Sequence, residues 1–272
     1  MIHRALGRLA PIALLLAAPL PAHAAGDLLV APTRIVLDGA RGTEVILKNE
    51  GAETATYRIS LELRRMTADG RLQDVTAPTA AEQAALSMIA FAPRRVTLPP
   101  GQPQSIRIGV RAPAGLPDGE YRAHMLFRAV PDAQAPAVAG PKPAGGGIQI
   151  ALKPVYGVTI PIIVRRGQLA ATAAIANARI VRQGGREQLS FDLSRAGNRS
   201  VYGEVRVLKP GSTEPAVFTR GVAVYPEVSN VTVTLPAAST YKGSLAGPAT
   251  IQYVEPAEAG GRVIAEAQVV LR

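Results

Sequence analysis

A long alternating run near the middle of the chain, from Ile148 to Arg165, places the strongest constraint on the fold. Every even position of this run is apolar, whereas the odd positions mix polar, charged and apolar residues. A period of two places the even side chains on one face of a β-strand. Pro154 cannot donate a backbone hydrogen bond, so it favours the edge of a sheet. The run therefore predicts a long apolar strand with one free margin, which promotes aggregation unless a partner covers it.

Short apolar segments separated by turn signals make up most of the remaining chain. In Thr54 to Arg64, for example, Tyr57, Ile59 and Leu61 alternate with more polar residues. Such strands at spacings of about 8–12 residues are typical of β-sandwiches, and only residues 76–87 suggest a helical turn. The sequence thus predicts an all-β protein with two Ig-like β-sandwich domains, at residues 25–165 and 166–272. The first domain carries the long strand.

The first residues of the chain have the pattern of a secretory signal peptide. Arg4 and Arg8 precede an apolar core, and Ala22-His23-Ala24 matches a cleavage site. The apolar core is too short to span a bilayer, so we expect residues 1–24 to be removed after export. The long alternating run is interrupted by polar residues, and we predict no membrane insertion of the mature protein.

The composition argues against catalysis and against several kinds of ligand. The chain has no cysteine, and His124 is the one histidine outside the leader, so a thiolate site, a metal centre or a catalytic triad is not expected. No phosphate-binding loop or hydrolase motif occurs. The formal net charge is +10, but no basic cluster with interleaved aromatic residues indicates nucleic-acid binding. We therefore predict no enzyme activity, no cofactor and no nucleic-acid partner.

Four segments, in this order, resemble the periplasmic chaperones of the chaperone–usher pilus pathway, the PapD-like proteins. The resemblance covers residues 28–165 well, and the second domain by size and pattern. The segments are VAPTRIVLDG at 30–39, MIAFAPRRVTLPPGQPQSIRIGV at 88–110, LPDGEYRAHMLFRAVP at 116–131 and IQIAL at 148–152. What the resemblance implies is a divergent member with two Ig-like domains set in an L, located in the periplasm.

The resemblance also implies a mechanism, donor-strand complementation. The chaperone lends an edge strand to a pilin-like or coat-like subunit and delivers that subunit to an outer-membrane usher. Ile148, Ile150 and Leu152 would be the side chains inserted into the subunit. The family anchors the subunit's carboxylate with an arginine, which carries over to Arg34, and a lysine, which does not. Lys153 is the nearest base, although its odd position places it on the other face of the strand.

Two other functions are compatible with the sequence pattern. A secreted structural or adhesive Ig-like protein would use the same strands only for its own cores. A hydrolase would need a pocket with converging polar groups. The sequence leaves open which subunit is bound, whether the free protein caps itself as a homodimer, and which residue replaces the missing lysine.

Overall fold

The computed structural model describes residues 28–38, 41–131 and 155–272. Up to Arg166, the described residues form eleven strands and one helix. They are β1 Leu28–Ala31, β2 Ile35–Leu37, β3 Thr43–Asn49, β4 Ala55–Glu62, β5 Arg64–Met66, β6 Leu72–Asp74, α1 Ala80–Met88, β7 Ile89–Ala92, β8 Arg95–Leu98, β9 Pro103–Val110, β10 Gly119–Val130 and β11 Gly157–Arg166.

Two sheets packed face to face form the first sandwich. The first sheet has the strand order β1-β3-β9-β7, and the second has the order β2-β11-β10-β4-β8. Alternation decides which side chains fill the space between them: in β4, Tyr57 and Ile59 are buried and Arg58 is exposed. The short β5-β6 hairpin stands apart from both sheets.

Prolines mark two of the places where the chain of the first sandwich crosses between sheets. Pro32 follows β1, and Pro93 separates β7 from β8. Because proline has no N–H to donate, a ladder is readily interrupted there. The sequence pattern predicts a first strand over residues 28–37 with a break at Pro32, and a single strand over residues 88–98. The break coincides with the passage from β1 to β2, whereas the single strand is wrong, because β7 and β8 belong to different sheets.

Helix α1 is longer than the helical turn expected from residues 76–87. Thr79 and Glu82 form a reciprocal capping box, in which each side chain accepts a hydrogen bond from the other's backbone N–H. Ala85 and Met88 are buried in the first core. A polar cap and two apolar contacts at helical spacing therefore stabilise a short helix within an otherwise all-β domain.

Seven strands form the second sandwich. Each overlaps a strand that the sequence pattern predicts, at residues 169–181, 187–194, 201–208, 216–222, 229–235, 249–254 and 263–271. The observed strands are β12 Ala171–Gln183, β13 Arg186–Gly197, β14 Val201–Leu208, β15 Val217–Val224, β16 Asn230–Pro236, β17 Gly247–Val254 and β18 Val263–Leu271. The sheets have the orders β12-β13-β16 and β15-β14-β17-β18. Seven strands in sheets of three and four is the strand count of a constant-type Ig domain. The prediction of an all-β protein with two sandwiches is confirmed; the L-shaped arrangement stays a prediction.

Each sandwich has its own hydrophobic core, but two side chains from the first half of the described chain are buried with the second core. Ile163 of β11 and Met66 of β5 are buried with the second core. Immediately after β11, Gly167 has a φ of 75°, a left-handed conformation that glycine adopts at little cost. The chain therefore turns sharply where it leaves the first sandwich. The boundary between residues 165 and 166 stays a prediction.

Candidate functional site: the open margin of β11 and the cleft beside it

The two margins of β11 have very different surroundings. On one side, β11 pairs with β10 along its whole length, from Gly157 opposite Arg128 to Arg166 opposite Gly119. On the other side, β2 pairs with it only at residues 162–164, in parallel. Among the described residues, no strand covers this second side from Gly157 to Pro161. We call this stretch the open margin.

The alternation of hydrogen-bonded residues between β10 and β11 shows which backbone groups of β11 point into the open margin. Ala129 donates its N–H to the carbonyl of Tyr156, its direct partner across the ladder. In antiparallel pairs such bonding residues alternate along the strand, so the even residues of β11 face β10 and the odd residues face away. Gly157 and Thr159 therefore present both N–H and C=O to the open margin, whereas Pro161 presents only C=O. The ladder with β10 loses no bond at Pro161.

Arg34 lies at the end of the open margin. Ile35, the first residue of β2, is opposite Ile162 of β11, so Arg34 immediately precedes the paired stretch. Its guanidinium donates to the Tyr225 hydroxyl at 3.0 Å and to Ser200 Oγ at 3.3 Å. It also lies 4.3 Å from the centroid of the Tyr202 ring. No carboxylate of the described residues lies within ion-pair distance, so neutral groups hold this cation in place.

A cleft of about 730 Å³ opens beside Arg34 between the two sandwiches. Arg165 and Arg199 also line it, together with acidic residues that include Glu255. Burial, followed by the nearby charge of Arg165, lowers the pKa of the Arg199 guanidinium. Glu255 forms an ion pair with Arg262 at 3.0 Å, whereas Arg199 has no carboxylate of the described chain within that range. Arg34 and Arg199 thus have no acidic partner in the described chain, but Asp38 and Glu258, which line the same cleft, have no basic partner there. The lining carries three basic and three acidic side chains, so the unpaired cations, and not an overall positive charge, are what could hold a carboxylate.

A buried carboxylate connects the sandwiches at the floor of this region. Glu120, whose side chain is 1% exposed, accepts hydrogen bonds from Arg165 Nε at 3.1 Å and from the Ser200 hydroxyl at 2.9 Å. The backbone N–H of Ser200 donates to the same oxygen at 3.1 Å. Glu120 and Arg165 belong to β10 and β11, and Ser200 immediately precedes β14. These bonds therefore join the first sandwich to the second beside the cleft.

A second polar link braces the same domain junction. Arg122 forms an ion pair with Glu227, and its guanidinium lies 3.6 Å from the centroid of the Tyr225 ring. Glu227 also accepts the backbone N–H of Met66 at 2.6 Å. Tyr225 thus contacts both Arg122 and Arg34. The position of Arg34 is therefore determined by residues of the second sandwich.

His124 is a second buried titratable group on β10, after Glu120. It lies on β10, is 1% exposed, and neither ring nitrogen has a hydrogen-bond partner in the described part of the chain. Burial, with added repulsion from Arg122, Arg64 and Arg34, lowers the pKa of the His124 imidazole to about 3. The structure therefore shows His124 as a packed strand residue.

The site residues expected from the sequence divide into two groups. Arg34 is described and lies in the cleft. Ile148, Ile150, Leu152 and Lys153 lie outside the described residues, and the strand expected from Ile148 is described only from Gly157 onward. The second-sandwich residues that hydrogen-bond to Arg34 carry no sequence signal, because Tyr225 and Ser200 are 191 and 166 residues away from it.

This site has no metal-binding cluster within the part of the chain that the structure describes. Within residues 28–38, 41–131 and 155–272, no group of three or more His, Cys, Asp or Glu side chains could hold a metal ion. In the same ranges no helix is long and apolar enough to cross a membrane.

No protein-family model matches the chain, and no curated protein matches it. Solved structures of chaperones are similar to it. The Pseudomonas aeruginosa CupB2 chaperone is 13% identical with a TM-score of 0.46, covering 90% of this chain and 100% of that one. The YadV chaperone is 15% identical with a TM-score of 0.45 and the same coverage. A chain from the Salmonella enterica SafA pilin in complex with the SafB chaperone is 17% identical, with a TM-score of 0.45, covering 90% of this chain and 96% of that chain. Because TM-scores this low do not establish a relationship by themselves, we base the functional proposal on the chain's own contacts.

Proposed function

We propose that this protein is a periplasmic chaperone that captures pilin-like or coat-like subunits by adding a strand to them and delivers them to an outer-membrane usher. The observation that carries the proposal is the position of Arg34, a cation without an acidic partner in the described chain, at the end of the open margin of β11. The leader-like residues 1–24 support export, and no catalytic step or cofactor is involved.

The open margin supplies main-chain groups for a guest strand. An extended guest chain can bond to the outward N–H and C=O groups of Gly157 and Thr159, as in other cases of β-strand addition. A guest running parallel to β11 would point its C-terminus toward β2 and Arg34. A carboxylate there would receive charge-assisted hydrogen bonds from a guanidinium that is not neutralised. An antiparallel guest would bring its amino terminus to the same cation, which is unfavourable.

The alternation of side chains along β11 supports the assignment of Ile148, Ile150 and Leu152 as the inserted side chains. Val158, Ile160 and Ile162 pack with the first core, so the even positions form the apolar face of the strand. Ile148, Ile150 and Leu152 have the same parity in the sequence. If the strand continues upstream in this frame, those three side chains extend the apolar face beyond the end of β10, where a guest's core can take them. Each would contribute about 1.5–3 kcal/mol on burial.

Arg199 is the described residue best placed to act with Arg34. It comes from the second sandwich, lines the same cleft and has no acidic partner within ion-pair distance among the described residues. Arg165 is less suited, because Glu120 already neutralises it. We therefore assign the anchoring of the guest's carboxylate to Arg34 and Arg199, in preference to Lys153.

Co-expression of the chain with a candidate subunit encoded beside it tests the proposal. We expect a stable one-to-one complex by size-exclusion chromatography, and its loss in Ile150→Asp with the fold intact by circular dichroism. Gln149→Asp, at the neighbouring odd position, is the matched control and should retain capture. Equal capture by wild type and Ile150→Asp would refute the donor assignment. A structural or adhesive Ig-like protein would give no such complex.

A further inference from the structure

Three arginines form a row across the outer face of the five-stranded sheet. Arg128 of β10 is directly opposite Arg58 of β4, and Arg58 is directly opposite Arg95 of β8. All three are exposed, while Phe127, Tyr57 and Val96 beside them point into the core. We call Arg128, Arg58 and Arg95 the arginine row.

This arrangement is unfavourable for the isolated fold. Like charges at directly opposite positions of neighbouring strands destabilise a sheet, because the strands are only about 4.8 Å apart. None of the three guanidiniums has a carboxylate within ion-pair distance in the part of the chain that the structure describes. Among the described residues, no acidic side chain therefore offsets the repulsion between these three guanidiniums.

Elsewhere the same chain pairs cross-strand arginines with acids. Examples are Arg165 with Glu120, Arg182 with Glu187 and Arg64 with Asp74, each pair being register partners that also form an ion pair. The arginine row departs from this pattern at two successive pairs. An uncompensated line of cations at a fixed spacing is what an external polyanion would neutralise.

The shape of the row decides which kind of anion fits. Along the strands, the arginine row is one residue wide, because uncharged side chains lie on both sides of it. On one side are Thr56 and Thr97, whose hydroxyls hydrogen-bond at 2.9 Å. On the other side are Leu126 and Ser60. A membrane surface would favour a broad basic field, whereas a narrow line of planar guanidiniums matches one extended chain lying across the strands. Acidic side chains at alternate positions of such a chain are about 6.7 Å apart, within reach of flexible arginines.

We propose that the arginine row binds an acidic segment of a partner protein in an extended conformation. This surface is the face of the sheet, and the open margin is its edge, so the inference goes beyond subunit capture. A test of acidic-segment binding can therefore fail while subunit capture is retained, and subunit capture can fail while acidic-segment binding is retained.

Fluorescence anisotropy with a labelled oligoglutamate peptide of about ten residues tests the inference on the full mature chain, at about 0.15 M salt. The variant is Arg58→Glu, which reverses the central charge. The matched control is Arg107→Glu on the other sheet, an exposed arginine opposite Glu44 that undergoes the same charge change. Urea unfolding monitors the fold: Arg58→Glu should raise the midpoint, because both of its cross-strand pairs become attractive.

We expect Arg58→Glu to weaken peptide binding at least about tenfold, and Arg107→Glu to change it by less than about twofold. Equal losses in both variants would mean that net charge alone attracts the peptide, which overturns the proposal. Absence of peptide binding by the wild type also overturns it. Vesicles containing phosphatidylglycerol form the second arm: tighter, Arg58-dependent binding to them than to the peptide would assign the row to a lipid surface and refute the acidic-segment assignment.

Discussion

The Arg34 guanidinium lies 4.3 Å from the centroid of the Tyr202 ring, so an aromatic face holds this cation without neutralising it. Together with the Tyr225 and Ser200 hydroxyls, the ring fixes the guanidinium at the mouth of the cleft. Such a preorganised and uncompensated charge can bind an incoming carboxylate without first breaking an ion pair.

Arg34→Gln should weaken binding of a peptide copied from a subunit's C-terminal strand by about 10- to 100-fold, because charge-assisted bonds to the carboxylate are lost. Isothermal titration calorimetry measures the affinity. Amidating the peptide's C-terminus should weaken binding to the wild type by at least a similar factor, and should weaken binding to Arg34→Gln less, because only Arg199 then remains to hold the carboxylate. A full loss on amidation in both proteins would contradict the anchor role.

Thr159→Pro should reduce subunit capture about three- to tenfold, because it removes one outward N–H of the open margin. The ladder with β10 uses the even residues, so we expect the variant to remain folded. Thr159→Val is the control, since it keeps the N–H and loses only the side-chain bond to Glu62. If both variants capture subunits equally well, the open margin is not the binding edge. Pull-down of a tagged subunit measures the effect.

Arg165→Gln should lower the free energy of unfolding by about 3 kcal/mol, because it leaves the buried Glu120 carboxylate without its cation. Urea denaturation provides the measurement. Arg166→Gln, at the adjacent position, where no ion pair forms within the described chain, should cost less than about 0.5 kcal/mol. In the double variant with Glu120→Gln, the total cost should be smaller than the sum of the two single costs. Strict additivity would show that the two side chains do not interact.

Acidification should destabilise the protein through His124. The unfolded chain takes up this proton below a pKa near 6.5, whereas burial holds the pKa of the folded imidazole at about 3. Stability from this group is therefore complete above pH 6.5 and declines as the pH falls toward 3. Between pH 7.5 and 5 the loss amounts to about 2 kcal/mol. His124→Leu should remove that part of the pH dependence of the unfolding free energy; an unchanged slope would contradict it.

Local patterns predict the strands well, because alternation and turn residues act within a few positions. All seven strands of the second sandwich and the break at Pro32 follow from such patterns. The division between β7 and β8 does not, since it depends on which sheet each half joins. Arg34 is predicted through a resemblance of the surrounding residues. Its contacts with Ser200, Tyr202 and Tyr225 are not, because they arise only when two separately folded sandwiches meet.

Pro161 limits how far a guest strand could pair along the open margin, because it has no N–H to donate. A parallel guest residue opposite Ile160 could donate its N–H to the Thr159 carbonyl, but its own carbonyl would find no N–H at Pro161. A guest that ends at this residue has a carboxylate there instead of an amide, and Arg34 is the donor at hand. If a guest strand adds to the open margin, a guest that continues past this residue leaves its carbonyl there without a donor and should bind more weakly than one that ends there.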